Sequence, residues 1–216
     1  MQKDNATFIL KRKLRLKTLA AIADPIILET HGGLGRLFAS CYSTRKRGVV
    51  FEKDPRKADA LATQRPTWSV YQCDCTPALK AGAGAHLPIN FVDCDPYGSC
   101  WDVLHAFFGS NRTFPDRIAV VVNDGLRQKV QLGGAWNTGC LRGVVSKVGN
   151  AAIYKRYKEL CKDLLLERVA PLGFGISHWG AYYTGHANAM THFAAIIEKK
   201  ATAPAPSASA PNRFAF

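Results

Sequence analysis

The segment Val92-Asp-Cys-Asp-Pro-Tyr-Gly-Ser99 carries the side chains needed to hold a weakly nucleophilic amine in place. An amine on an aromatic ring has its lone pair delocalised into that ring, so it reacts only when oriented and electrostatically favoured. Asp95 can accept one of its N–H bonds, a backbone carbonyl near Pro96 can accept another, and the Tyr97 ring offers a surface on which a base can stack. Three further carboxylates close apolar runs upstream: Glu29, Glu52 and Asp74. Gly33 and Gly35 follow Glu29 in the run Glu29-Thr-His-Gly-Gly-Leu-Gly35. Glycines let a backbone approach a ligand closely, and a helix starting behind them presents free N–H groups.

Such residues act together only if a scaffold brings distant loops to one edge. The hydrophobic pattern predicts a helix over 8–23, with Phe8, Leu14, Leu16, Leu19 and Ile22 as its apolar surface. Short apolar strands then alternate with helices. Strands are expected at 25–30, 48–52, 68–73, 88–93 and 117–122. Helices are expected from Gly35 through Ser43, over 55–64, after Thr76, over 99–108 and, as one long element, over 151–169. Strands at 173–183 and 190–198 read as an antiparallel hairpin around the turn at 184–188. The stretch 124–150, basic from Arg127 to Lys129 and punctuated by Gly133, Gly134, Gly139 and Gly143, has no assigned element. The expected fold class is α/β: a Rossmann-like seven-stranded sheet, mostly parallel with a C-terminal antiparallel hairpin, and helices on both faces. The expected organisation is a basic N-terminal helix over 1–23, a ligand-binding domain over 24–199 and a disordered Ala/Pro/Ser tail over 200–216.

In open α/β sheets ligands bind beyond the carboxyl ends of the strands, where these carboxylates stand. A dinucleotide fits poorly. Phe38 occupies the third small position of the loop, and Glu29 aims a carboxylate at the space a pyrophosphate would need. Glu29 suits an ammonium group instead, such as the methionine end of S-adenosylmethionine. Glu52 is then placed to accept both ribose hydroxyls, Asp74 to accept from the adenine amine, and Asp93 to touch the cofactor or its loop. His31 joins this loop as a packing or hydrogen-bonded residue rather than a catalytic one.

From Ile26 to Glu198 the chain resembles the class I S-adenosylmethionine-dependent methyltransferases. The run Glu29 to Gly35 is similar to the D-P-F-x-G-x-G loop of the amino-methyltransferases, with His31 where Phe is usual. The run Asp95-Pro-Tyr-Gly-Ser99 is similar to the D-P-[F/Y]-G-S of the tRNA guanine-N2 dimethyltransferase family, and more distantly to the D-P-P-Y of DNA amino-methyltransferases. The resemblance implies transfer of a methyl group to an exocyclic nitrogen, with Asp95, Pro96 and Tyr97 as acceptor-site residues. Asp124 and Arg127, after the fifth strand, line the acceptor pocket or form a turn with a helix cap.

Lys and Arg number 29 against 16 Asp and Glu, a formal charge of +13 that favours polyanionic partners. RNA is expected before DNA, since no target-recognition insertion is visible. The seven cysteines are scattered without a C-x-x-C pair, which points to reduced thiols, a cytoplasmic setting and no metal. No apolar run is long enough for a membrane span. The alternatives are a DNA amino-methyltransferase, a small-molecule or protein methyltransferase, and a nucleic-acid-binding protein that has the fold without the activity.

Overall fold

The computed structural model describes residues 6–96, 99–131 and 139–200; Tyr97, Gly133, Gly134 and the 201–216 tail lie outside the described residues. Seven strands form one sheet: β1 (Ile27–Glu29), β2 (Gly48–Glu52), β3 (Ser69–Gln72), β4 (Phe91–Cys94), β5 (Arg117–Asp124), β6 (Phe174–Thr184) and β7 (Met190–Lys199). Their order is β3-β2-β1-β4-β5-β7-β6. The first five pair in parallel, and β7 runs antiparallel between β5 and β6. This is the mostly parallel, Rossmann-like sheet that the apolar runs predict.

Each strand alternates its side chains between two faces, and both faces are buried. Ile27, Val50, Phe91, Ala119, Val121, Ala194 and Ile196 share one core with Leu19, Phe38, Tyr42 and Leu61. Leu28, Val49, Phe51, Val92, Val120 and Val122 share the other with Leu104, Phe107, Tyr157 and Leu165. Helix α1 (Ala6–Leu19), a π-helical turn at Phe38–Tyr42 and α2 (Pro55–Gln64) cover the first face. The opposite face is covered by α3 (Cys75–Lys80), α4 (Trp101–Phe108) and α8 (Tyr157–Val169), the last preceded by α5 (Leu126–Gln131), α6 (Gly139–Val148) and α7 (Asn150–Lys155). Helix α2 starts where its sequence says it should. Pro55 sits in the first turn, and the Asp54 carboxylate accepts from the amides of Arg56 and Lys57 at 3.0 and 3.2 Å.

Four expectations need correction. The residues before Ser43 wind as a π-helical turn rather than an α-helix, which buries Phe38, Cys41 and Tyr42 together. Within 124–150 the described residues include α5, α6 and the first residue of α7. The long helix expected over 151–169 breaks at Arg156, between α7 and α8, with no Pro or Gly to break it. In a continuous helix the Lys158 amide would donate to the Tyr154 carbonyl. Here that carbonyl accepts from Arg127 at 3.4 Å, and the Lys158 amide donates to the Tyr183 hydroxyl at 3.2 Å. Helix α1 ends at Leu19, and its faces differ from those expected. Leu16 is exposed, whereas Arg15 is fully buried and Lys11 half-buried.

Arg15 makes a two-pronged contact with Asp93 on β4, Nε to Oδ2 at 2.7 Å and Nη2 to Oδ1 at 2.5 Å. The Tyr42 hydroxyl donates to the same carboxylate at 2.7 Å. Burial alone would loosen the guanidinium's proton, but the Asp93 charge outweighs it and the Arg15 pKa rises. On the opposite face, Asp124 accepts from the Leu126 amide at 2.8 Å and from the Tyr157 hydroxyl at 2.6 Å, and burial raises its pKa to about 6.

Both buried carboxylates yield stability tests. Arg15→Met leaves Asp93 buried without its cation, so urea unfolding should register a loss of about 3–5 kcal/mol, partly recovered when Asp93→Asn is added. A loss below about 1 kcal/mol would rank the pair with ordinary surface bridges. Asp124 binds its proton more tightly folded than unfolded, so it adds stability as pH falls through about 6 and withdraws it as pH rises. Asp124→Asn, which never ionises, should therefore melt higher than the parent near pH 8, with a margin that shrinks towards about pH 5. A margin independent of pH would show that the Asp124 charge costs the fold nothing.

Candidate functional site

At the carboxyl edge of the parallel strands lies a cavity of about 900 Å³. Its floor is the loop after β1. Gly33 adopts a left-handed backbone, φ 54°, and its N–H donates to Glu52 Oε2 at 2.8 Å. Glu52 Oε1 accepts from the Asp54 amide at 3.0 Å, so the carboxylate is held by one bond on each oxygen. Gly32, which the motif did not single out, is packed tightly: a Cβ there would lie 2.7 Å from Val50 Cγ2 and still nearer to Leu61 Cδ1. Gly35 is also left-handed, φ 73°, and turns the chain at the back of the loop without lining the cavity.

Glu29, His31, Gly33, Glu52, Asp74, Asp95 and Pro96 all line this cavity. Glu29 is buried, with Oε2 accepting from Arg65 Nη1, and burial raises its pKa to about 7 against the pull of that guanidinium. Arg65 is itself held under the Phe38 and Trp68 rings. His31 Nδ1 lies 2.8 Å from Thr30 Oγ1, and burial lowers its pKa, which keeps the ring neutral at physiological pH. Asp74 caps α3 by accepting from the Thr76 amide at 2.9 Å and faces Lys53 at 3.6 Å.

Asp95 stands at the opposite rim. Lys11 Nζ donates to both of its oxygens, at 2.8 and 2.9 Å, and Arg15 Nη2 lies 3.9 Å away. Burial opposes the Asp95 charge, but Arg15 and Lys11 prevail and hold its carboxyl below the ordinary range. Thr7, Phe8 and Lys11 of α1 roof the cavity, and Arg36 reaches from the loop to the Phe8 ring at 4.9 Å.

Besides Gly35, three residues named from the sequence are not brought to the cavity. Asp93 points under α1 and is occupied by Arg15 and Tyr42, so it does not touch a ligand in the cavity. Asp124 follows Asn123 on β5, and alternation sends it to the opposite face, against Tyr157. Arg127 is sandwiched between the Tyr154 and Tyr183 rings, 3.7 Å from each, and donates to the Asn188 carbonyl. Both therefore serve as the turn and anchor, not as pocket wall. Conversely, sequence reasoning missed Lys11, Phe8 and Arg15, whose roles depend on where α1 lies. It also missed Asn123, which the alternation Ala119, Val121, Asn123 would have put on the α1 face. Among the described residues no group of three His, Cys, Asp or Glu is arranged to hold a metal. Nor is any helix there long and apolar enough to cross a membrane. Cys73, Cys75, Cys94 and Cys100 are all free.

The arrangement pairs one carboxylate suited to vicinal hydroxyls, Glu52, with another suited to an N–H donor, Asp95, across a single cavity. No family model and no curated protein matches the chain. Solved structures share its fold. Trm1 from Pyrococcus horikoshii, in complex with S-adenosyl-L-methionine, superposes with a TM-score of 0.63 at 13% identity, over 91% of this chain and 56% of its own. The N-methyltransferase NodS from Bradyrhizobium japonicum WM9, with S-adenosyl-L-homocysteine, gives 0.58 at 11% identity, over 91% and 89%. TYW2 from M. jannaschii, in complex with AdoMet, gives 0.54 at 12%, over 93% and 79%. The chain thus spans little more than half the length of the Trm1 structure. At these identities the common property is the fold, a Rossmann-like sheet of seven strands closed by an antiparallel pair.

Proposed function

We propose that the chain is an S-adenosylmethionine-dependent methyltransferase whose acceptor is an exocyclic amine of a nucleobase, in RNA before DNA. The observation that carries this reading is the single cavity with Glu52 and the glycine loop at one end and Asp95-Pro96 at the other. The residues present fit the cofactor. A carboxylate has about four acceptor positions, so Glu52 keeps lone pairs for two ribose hydroxyls after binding the Gly33 and Asp54 amides. We read Glu29, which also bonds Arg65, as the partner of an ammonium end and Asp74 as that of an adenine amine; both line the cavity. That three solved structures of this fold hold S-adenosylmethionine or S-adenosylhomocysteine supports the choice.

The bound cofactor supplies a methyl group on a sulfonium, an electrophile that needs no further activation. The chain's part is orientation and charge. Asp95 accepts an N–H of the acceptor and so fixes the direction of the nitrogen lone pair. Its carboxylate, held ionised, also stabilises the positive charge that grows on that nitrogen. A carboxylate this acidic is a poor resting place for a proton, so the proton released passes on to solvent. Pro96 shapes the rim, and Tyr97 enters from the sequence as the stacking surface. The +13 charge and the exposed Arg12, Lys13 and Lys17 on the outer side of α1 support a polyanionic substrate. One observation favours a second reading, a small amine acceptor: α1 roofs the cavity, which narrows the way in for a polymer.

Calorimetry should find binding of S-adenosylmethionine and none of NAD, with Glu52→Ala weakening it at least about tenfold. Asp95→Ala should keep the cofactor while transfer to RNA falls by about two orders of magnitude or more, and Tyr97→Phe should retain activity that Tyr97→Ala loses. NAD binding of comparable strength sinks the cofactor; label transferred to small amines but never to RNA or DNA sinks the nucleobase. Filter binding to RNA at several salt concentrations tests the outer face of α1. Charge reversal at Arg12, Lys13 and Lys17 should flatten the log–log slope by roughly 0.7 to 0.9 for each phosphate that is no longer neutralised. Equal slopes would move the nucleic-acid surface elsewhere.

A further inference from the structure

Asn123 is fully buried, with its amide beside the Asp95 carboxylate and its Oδ1 without a hydrogen-bond partner. Its register neighbour on β7, His192, is also fully buried, with Nε2 unpartnered and Nδ1 3.2 Å from the Tyr182 hydroxyl. Nearly all buried polar atoms have partners, so an amide with its oxygen open calls for a reason. An apolar side chain would spare the chain that cost, as Val121 does on the same face of the same strand.

Position supplies the reason. Asp95 and Asn123 each follow by one residue the last register pair of these strands, Cys94 with Val122. The Asn123 amide lies near enough to the Asp95 carboxylate to help hold it ionised. Lys11 covers Asp95 from α1, with its ammonium on both oxygens. An ammonium thus occupies the carboxylate assigned to the acceptor's amine, and an open amide stands beside it. Burial, with the charges of Lys11 and Arg15 nearby, lowers the His192 pKa to about 4, so the far side of the amide stays neutral.

We propose that Asn123 determines acceptor specificity: when the acceptor's amine displaces Lys11 from Asp95, the Asn123 amide bonds the ring atom next to that amine. The proposal rests on the reading of Asp95 given above. It selects an amino group on a carbon that also carries a ring nitrogen. In adenine and cytosine that nitrogen is bare and accepts from Nδ2; guanine flanks its amine with two ring nitrogens, of which the one that carries hydrogen donates to Oδ1. An aliphatic amine offers no such atom and leaves the amide open.

The test is label transfer from S-adenosylmethionine by the full chain to single-stranded RNA oligomers rich in A, C or G, and to spermine. Asn123→Leu should lose about tenfold to a hundredfold in kcat/KM on the preferred oligomer, with cofactor affinity unchanged and a melting temperature equal or higher. Asn123→Val, β-branched like Val121 and with neither donor nor acceptor, should narrow the preference among A-, C- and G-rich oligomers. Unchanged kcat/KM in Asn123→Leu overturns the proposal. If that variant fails to fold, the Asn123→Val preference decides, and an unaltered preference overturns it. Transfer by the parent chain to spermine alone defeats the reading of Asp95 as well, which separates the two failures.

Discussion

The contact between Arg15 and Asp93 governs how this molecule is put together. Both side chains are out of water, and each is tolerable there only because the other neutralises it. The pair fixes α1 across the sheet, and the spacing of the two backbones then decides what lies above. Four residues of helix rise about 6 Å and two residues of strand about 6.6 Å. With α1 running against the direction of β4, Arg15 over Asp93 therefore sets Lys11 over Asp95. One buried ion pair thus positions the roof of the cavity and the occupant of the rim carboxylate.

The same alternation explains the distribution of polar groups over the sheet. Asp93, Asn123 and His192 occupy the face beneath α1, where the side chains of Ile27, Phe91, Val121 and Ala194 form the core further down. Asp124 belongs to the other face, and its partners come from α5 and α8. The strand runs, their order of types and the C-terminal hairpin were legible from period and length alone, because strands buried on both sides read as continuous apolar runs. The acid at the end of β5 was legible too, but its face was not. Ending the strand at Val122 instead of Asp124 removed the alternation that separates Asn123 from Asp124.

What the chain hides is of another kind. Lys11, Arg12, Lys13, Arg15 and Lys17 look alike in sequence, and only tertiary structure tells inward from outward members. The partners of Lys11 and Arg15 lie 84 and 78 residues away, beyond any helical spacing. The break at Arg156 is likewise invisible locally, since it arises from Arg127 and Tyr183 taking over the hydrogen bonds of a helix they do not belong to. The glycine loop fell between these cases. Its residues were found from the motif, while the tight packing at Gly32 depends on Leu61 of α2 and Val50 of β2.

The two ion pairs along α1 differ in a way that bears on access. Arg15 and Asp93 are essentially unexposed, at 0% and 1%, whereas Lys11 and Asp95 retain 20% and 21%. Removing one partner of a pair as deep as the first costs about 3–5 kcal/mol, while a bridge that reaches water contributes about 0–1 kcal/mol. The helix is therefore bound firmly at Arg15 and lightly at its N-terminal turn, where Tyr182 adds only a hydrogen bond to the Leu10 carbonyl at 2.9 Å. Opening of the roof would begin at that turn and pivot about Arg15, uncovering Asp95 before disturbing Asp93. On the proposed reading of Asp95 as the acceptor's carboxylate, this inequality lets the deep pair keep its geometry while the shallow one exchanges a lysine for an acceptor.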